Sequence, residues 1–291
     1  MSISFQKILV IFNPVSGGGQ RQVLDEVISH LSQAGCDVTL YETKGPEDAT
    51  VYLKNLSQPY DLIVAAGGDG TTNEVVNGLV DQTIPLAVIP IGTTNVLAKE
   101  LNLPKNPKAL AKAILKGKIR EVHLARMNQK RFVLMAGFGY DAWVVNGVNL
   151  NIKKRFGKLA YVLSMLQQIR PYGSKSYDVN VDGKTFKAQS VIITNGRYYG
   201  GSFILSRKAN LSDPNLQVFI FKAKGKLKLL TILFSLPLGL IEKLPGLLSI
   251  PGKNIQISTS NEDVIQADGD VAGVLPADVS IESETFPFVV A

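Results

Sequence analysis

At 291 residues, with 45% hydrophobic and 19% charged, the chain has enough apolar material for two packed domains and is excluded from the charge-rich, apolar-poor class of disordered proteins. The single cysteine, Cys36, excludes an intrachain disulfide. The opening MSISFQKILVIF lacks the charged start, long apolar stretch and small-residue cleavage site of a signal peptide, so a cytosolic protein is expected. The net charge of +7 is uneven, with 11 Lys/Arg against 12 Asp/Glu in residues 1–122 and 20 against 12 in residues 123–291. The basic excess, concentrated between Arg126 and Lys175, suits an anionic lipid surface, a nucleic acid or simply solvent.

Through residue 122, short β-rich runs alternate with helical patterns: KILVIF, a helix over Arg21–Ala34, DVTLYE, a helix over Pro46–Leu56, DLIVAA, a helix over Thr72–Val80, and LAVIPI. That alternation predicts a parallel sheet covered by helices. After a further helix at Pro107–Lys116 the texture changes. EVHLARM, RFVLMAGFG, SYDVNVDG, AQSVIITNG, LQVFIF, NIQISTS and ADVSIES are short, β-branched and separated by Gly, Asn or Asp, which predicts a mainly antiparallel sandwich. The expected organisation is an α/β nucleotide-binding domain over 1–122 and a β-rich acceptor domain over 123–291, with the extreme C-terminus packing back on the first.

The run Leu229–Ile241, within Lys226–Ile250, is apolar over 13 residues and broken by Pro237. A span needs roughly 20 such residues, so two readings remain. It is a buried core helix, or an apolar element dipping into a membrane surface beside Lys222, Lys224, Lys226 and Lys228.

Three glycine-rich segments each follow a strand and open a helix: NPVSGGG at Asn13–Gly19, AAGGDGTTNEVVNGL at Ala65–Leu79 and PIGTTN at Pro90–Asn95. Gly67, Gly68 and Gly70 permit positive φ and close backbone approach, so successive amides can cradle phosphate oxygens at a helix start. Asp69 among them does not attract an anion, and its expected task is holding a phosphate-bridging Mg²⁺. The first segment fits neither the G-x-G-x-x-G nor the G-K-[ST] fingerprint. Three such loops at one sheet edge would converge on a single crevice.

GGDGTTNEVVNGL, with NPVSGGG before it and PIGTTNVLAKELNLP after it, resembles the bacterial lipid kinases that share a catalytic domain with diacylglycerol, ceramide and sphingosine kinases. GFGYDA, KKRFGKLAYVL, TNGRYYGGSF and ADGD extend the resemblance over nearly the whole chain. It implies ATP contacts at Asn13, Pro14, Val15, Ser16, Gly17, Thr43, Gly67, Gly68, Asp69, Gly70, Thr71, Thr72, Thr93 and Thr94, with Asp69 near a catalytic Mg²⁺. It further implies Asp268 as general base for the lipid hydroxyl and Asp270 at the nucleotide or metal, although relatives carry the longer Glu there. A second, structural Mg²⁺ would fall on Asp213 with the backbones of Asn210 and Asn215. Pro214 stands where relatives often have Gly, which alters how that loop closes.

These roles suit phosphoryl transfer, which asks a protein mainly to position groups and neutralise charge. His30 and His123 are read as structural, Cys36 as a small core residue, and Trp143, Tyr198, Tyr199 and Phe203 as either an acceptor cleft or core packing. Diacylglycerol exemplifies the expected acceptor, and peripheral attachment to the inner face of the membrane the expected location. A kinase for a soluble acceptor such as NAD, or a non-catalytic nucleotide binder, are the alternatives. With no RNP-like motif or helix-turn-helix, no nucleic-acid partner is expected. A homodimer stays open as the assembly.

Overall fold

The run Lys7–Phe12 is buried at every position after the first, as a strand covered on both faces must be. It is β1, the centre of a parallel sheet with β2 (Asp37–Glu42), β3 (Leu62–Gly67) and β4 (Leu86–Pro90) in the order β2-β1-β3-β4. The registers Phe12 to Ala66 and Gly67 to Pro90 bring the carboxyl ends of β1, β3 and β4 level. The computed structural model describes residues 5–18, 20–148 and 158–291. It divides into two units, Met1–His123 with Glu284–Ala291, and Leu124–Ser283.

In the first unit, α1 (Arg21–Gln33) buries Leu24, Val27 and Leu31, the three- and four-residue spacing of one helical face. Each such side chain contributes about 1.5–3 kcal/mol by leaving water. The other helices are α2 (Asp48–Lys54), α3 (Asp69–Gly78), α4 (Val96–Glu100) and α5 (Pro107–Lys116). α5 starts on the Asn106 side chain, which accepts from the Ala109 amide at 3.0 Å, and stops at Gly117 with φ +62°. The chain's last residues return here, where Phe288 pairs in parallel with Leu86.

The second unit opens in β5 (Lys118–Met127), which hairpins onto β6 (Lys130–Phe132), followed by β7 (Met135–Phe138) and α6 (Tyr140–Asn146). After helix Lys158–Gln168 come β8 (Tyr177–Val181), β9 (Lys184–Ala188), β10 (Ser190–Thr194), the short β11 (Tyr198–Tyr199) and β12 (Phe203–Ile204), and β13 (Leu216–Phe221). The remaining strands are β14 (Leu247–Gly252), β15 (Asn254–Ser258), β16 (Val264–Ala267), β17 (Asp270–Val274) and β18 (Ala277–Val290). One antiparallel sheet runs β14-β13-β10-β7-β16-β17. The facing layer is β9-β8-β15 and the first part of β18, again antiparallel. Phe138, Ile193 and Val218 of one sheet meet Val179, Ile255 and Val279 of the other in the core of the sandwich.

The expected architecture is therefore the observed one, with local differences. RFVLMAGFG, expected as one strand, is split at Val133–Leu134, whose amides turn to the Asp268 carboxylate instead of a neighbouring strand. Lys226–Ile250 becomes a helix at Lys226–Ser235, a 3-10 turn at Ile241–Lys243 and the start of β14. Among the described residues no helix is long and apolar enough to cross a membrane. Lys153, Lys154, Arg155 and the first part of the expected Lys153–Leu163 helix lie outside the described residues, as does Gly19.

Candidate active site

The three glycine-rich loops of the first unit meet at the carboxyl edge of its sheet, packed so closely that side chains are excluded. A Cβ on Gly17 would stand 1.7 Å from the Ile91 carbonyl oxygen, and one on Gly92 would stand 2.4 Å from the Gly68 Cα. Gly67 donates no space either, since a Cβ there would lie 2.2 Å from Thr71 Oγ1. Of the loop glycines, Gly17 uses positive φ (+62°), whereas Gly67, Gly68 and Gly70 do not. Of the two properties expected of the GGDG glycines, positive φ is not used, and close approach is what demands glycine at Gly67 and, on the facing loop, at Gly92.

Side chains lock the same loops. Asn13 accepts from the Val15 amide (3.1 Å) and donates to Thr71 Oγ1 (3.2 Å), tying the first loop to α3. Asn95 accepts from Gly92 N (3.0 Å) and donates to the carbonyls of Pro90 (3.1 Å) and Gly92 (2.7 Å). The Asp69 carboxylate accepts from Val96 N and Leu97 N, each at 3.0 Å, and so caps α4. Burial pushes its carboxyl up, opposed by those two amides. Thr43 is buried, its amide donating to Phe12 O at 2.8 Å, while Thr93 and Thr94 are exposed on the third loop.

The donors fit a phosphate group. No side chain caps α3, intrahelical bonding begins only where Thr72 N donates to Gly68 O, and Thr72 Oγ1 is buried without a hydrogen-bond partner. A helix start with open amides beside an unspent hydroxyl is a ready anion site. For Mg²⁺ the chain offers less: among the described residues no three His, Cys, Asp or Glu side chains converge. Asp69, each oxygen already holding one amide, retains lone pairs for the single-carboxylate binding common for Mg²⁺, whose other ligands are waters and phosphate oxygens.

In the second unit, Asp268 occupies the turn between β16 and β17 with φ +49°. Its carboxylate accepts from Val133 N (2.8 Å), Leu134 N (2.8 Å) and Met135 N (3.0 Å). Asp270 follows, exposed on β17. In the loop before β13, Asp213 N donates to Asn210 O (2.8 Å) and Asp213 Oδ1 accepts from Asn215 Nδ2 (2.8 Å), so part of the expected metal carboxylate is bound by a neighbouring amide.

The second unit also contains a narrow apolar cleft, partly open to solvent, lined chiefly by Ile192, Leu205, Phe221, Leu229, Leu233 and Leu236. Tyr199 and Asp141 stand in its wall. Asp141 is buried and accepts from the Tyr199 hydroxyl and from Gln266 Nε2 (2.5 Å). Burial pushes its carboxyl up, against those two donors, and the Tyr199 hydroxyl is pushed well up by burial and by Asp141. Gly137 makes the arrangement possible, because a Cβ there would lie 1.7 Å from Asp141 Oδ2.

Residues 7–127 match the diacylglycerol kinase catalytic domain, and residues 135–290 match the YegS C-terminal NAD kinase beta sandwich-like domain. The chain belongs to the bacterial diacylglycerol kinase family. Its similarity to the diacylglycerol kinase of Bacillus subtilis is 29% identity over 280 residues, covering 92% of this chain and 91% of the relative. That of Staphylococcus haemolyticus is 29% identical over 274 residues, covering 92% and 83%. The crystal structure of a diacylglycerol kinase from Bacillus anthracis superposes with a TM-score of 0.78 at 29% identity, covering 99% of this chain and 98% of that one. The chain is accordingly a lipid kinase, a phosphotransferase with an alcohol group as acceptor.

Within the kinase, the aromatic residues singled out in the sequence separate. Tyr199 lines the cleft; Trp143 is in the sandwich core with its indole N–H on Asp263 (2.9 Å). Tyr198 and Phe203 sit on the small β11–β12 pair and do not line the cleft. Sequence reasoning passed over Asp141 as a site residue. Its signal was present: it is the one acid between Arg126 and Lys175, a segment holding nine basic residues, and it stands two residues after Gly139 of GFG.

Proposed function

We propose that the kinase transfers the γ-phosphoryl group of ATP to the hydroxyl of a membrane diacylglycerol. The observation that carries the ATP half is the mutual packing of Gly17 on Ile91 and Gly68 on Gly92, which fixes three loops around the uncapped start of α3. In this reading the backbone of Asn13–Gly17, the amides of Asp69, Gly70 and Thr71, and the Thr72 hydroxyl bind phosphate oxygens, with Thr43, Thr93 and Thr94 completing the nucleotide site. Mg²⁺, held by Asp69, supplies charge neutralisation. Asp213 with Asn210 and Asn215 is the proposed structural cation site.

For the acceptor, the apolar cleft takes acyl chain, and the Asp141–Tyr199 pair gives its wall a polar point for an ester group of the lipid. Asp268 orients the acceptor hydroxyl and takes up its proton with the lone pair its three amide bonds leave over. Asp270, two residues further on, is the second carboxylate proposed for the nucleotide or its metal. The enzyme works in the cytoplasm as a peripheral protein of the inner membrane face.

Incubation with labelled ATP and Mg²⁺ and a panel of lipids in mixed micelles tests this. Labelled phosphatidic acid is expected as the main product. Label on NAD, or on no lipid at all, overturns it.

A further inference from the structure

Helix Lys226–Ser235 is apolar on two sides, and among the described residues only one of them is covered. Leu229, Ile232, Leu233 and Leu236 face the cleft. On the opposite side, at the i and i+7 positions of one helical stripe, Leu227 is 80% exposed and Phe234 70%, and in the turn that follows the helix Leu238 is 69% exposed. Leu240 adds to the same exposed group. A helix of a protein surrounded by water carries polar residues on its outer face, so this stripe calls for an apolar neighbour.

The charges around it name that neighbour. Lys222, Lys224, Lys226 and Lys228 are exposed at the helix start, and its first turn holds no acid. Cations at a helix N-terminus oppose the backbone dipole, so the fold gains nothing from placing them there. No carboxylate among the described residues pairs with Lys224, Lys226 or Lys228, whereas Arg131, in the basic tract singled out from sequence, lies on Glu282 (3.0 Å) and Lys175 on Asp263 (2.9 Å). An anionic counter-surface beside an apolar layer is the make-up of a lipid interface.

We infer that this helix and the turn to Leu240 dock the kinase on an anionic bilayer. Leu227, Phe234 and Leu238 enter the acyl boundary and the four lysines meet the headgroups. The inner face of the same helix then stays on the cleft, so docking brings membrane lipid to the wall of the acceptor site. This rests on the lipid-kinase reading and adds to it the surface by which the membrane is met.

The test is co-sedimentation with vesicles of phosphatidylcholine containing about a third phosphatidylglycerol, against phosphatidylcholine alone. Leu227→Gln/Phe234→Gln and Lys226→Glu/Lys228→Glu are compared with the unaltered chain. Each pair is expected to weaken binding to anionic vesicles by about tenfold or more. Transfer to a water-soluble short-chain diacylglycerol is expected to stay within about twofold, which also shows that the variants are folded. Unchanged vesicle binding in both pairs, with short-chain transfer intact, overturns the docking surface and leaves the lipid-kinase reading standing. Loss of a dimer in the glutamine pair, measured by sedimentation velocity without vesicles, overturns it in favour of a second copy of this chain. Vesicle binding that responds as expected in a chain transferring phosphate to no lipid supports the surface and overturns the kinase reading.

Discussion

Asp268 and Met135 hold each other twice: the Asp268 carboxylate accepts from Met135 N at 3.0 Å, and Asp268 N donates to Met135 O at 2.9 Å. With Val133 and Leu134 on the same carboxylate, the turn carrying Asp268 is stapled to the segment between β6 and β7. Asparagine is then no neutral replacement. Its amide nitrogen would face at least one backbone N–H, donor to donor, so Asp268→Asn is expected to destabilise by about 1–3 kcal/mol. If Asp268 also receives the acceptor's proton, single-turnover transfer falls by about 10² or more in protein still folded at low temperature, with ATP affinity little changed. Transfer that falls only in step with the folded fraction, followed by circular dichroism, restricts Asp268 to the staple.

Gly92→Ala places a methyl 2.4 Å from the Gly68 Cα, backbone against backbone, where no side-chain rotation relieves the clash. The second and third loops must separate. Overpacking of this kind costs about 1–3 kcal/mol, and the larger effect is expected on ATP binding, measured by calorimetry. Gly35→Ala is the control, since no atom lies within 4 Å of its Cβ position although its φ of +94° still strains it. Equal ATP affinity in the two variants would remove the loop contact from the nucleotide site.

Asp69→Ala leaves Val96 N and Leu97 N without their acceptor and is expected to cost about 2 kcal/mol besides its effect on turnover. Asp69→Asn keeps one acceptor and should recover part of the stability. A melting-temperature series of the two variants checks this, and identical melting in both and in the unaltered chain would show that the α4 cap carries no stability.

Asp141 gives a pH signature. Burial raises its folded-state pKa above the ordinary 3.8, so the folded protein holds the proton more tightly than the unfolded chain. That contribution to stability is full below about pH 3.8 and is lost as pH rises through the folded value. Asp141→Asn does not titrate. The stability difference between variant and unaltered protein should therefore shift in the variant's favour as pH rises from about 4 to 7, read from urea unfolding at each pH. A flat difference would mean that Tyr199 and Gln266 fully offset the burial.

The parallel sheet, the sandwich and the three glycine-rich loops were legible because each rests on local regularities: continuous β-branched runs, alternation, and glycines between strand and helix. Asp268 as an acid in a glycine turn was legible too. Its commitment to Val133, Leu134 and Met135, more than 130 positions away, was not, nor was the break this makes in RFVLMAGFG. The same holds for Asp69, whose place among glycines suggested a metal while its oxygens reach amides 27 and 28 residues on. Composition marked Lys226–Ile250 as apolar but left its surroundings open, because burial is a property of what packs against a face. Only the tertiary fold decided that one side of that helix closes a cleft while the other, carrying Leu227 and Phe234 with Leu238 in the turn beyond, is left exposed among the described residues.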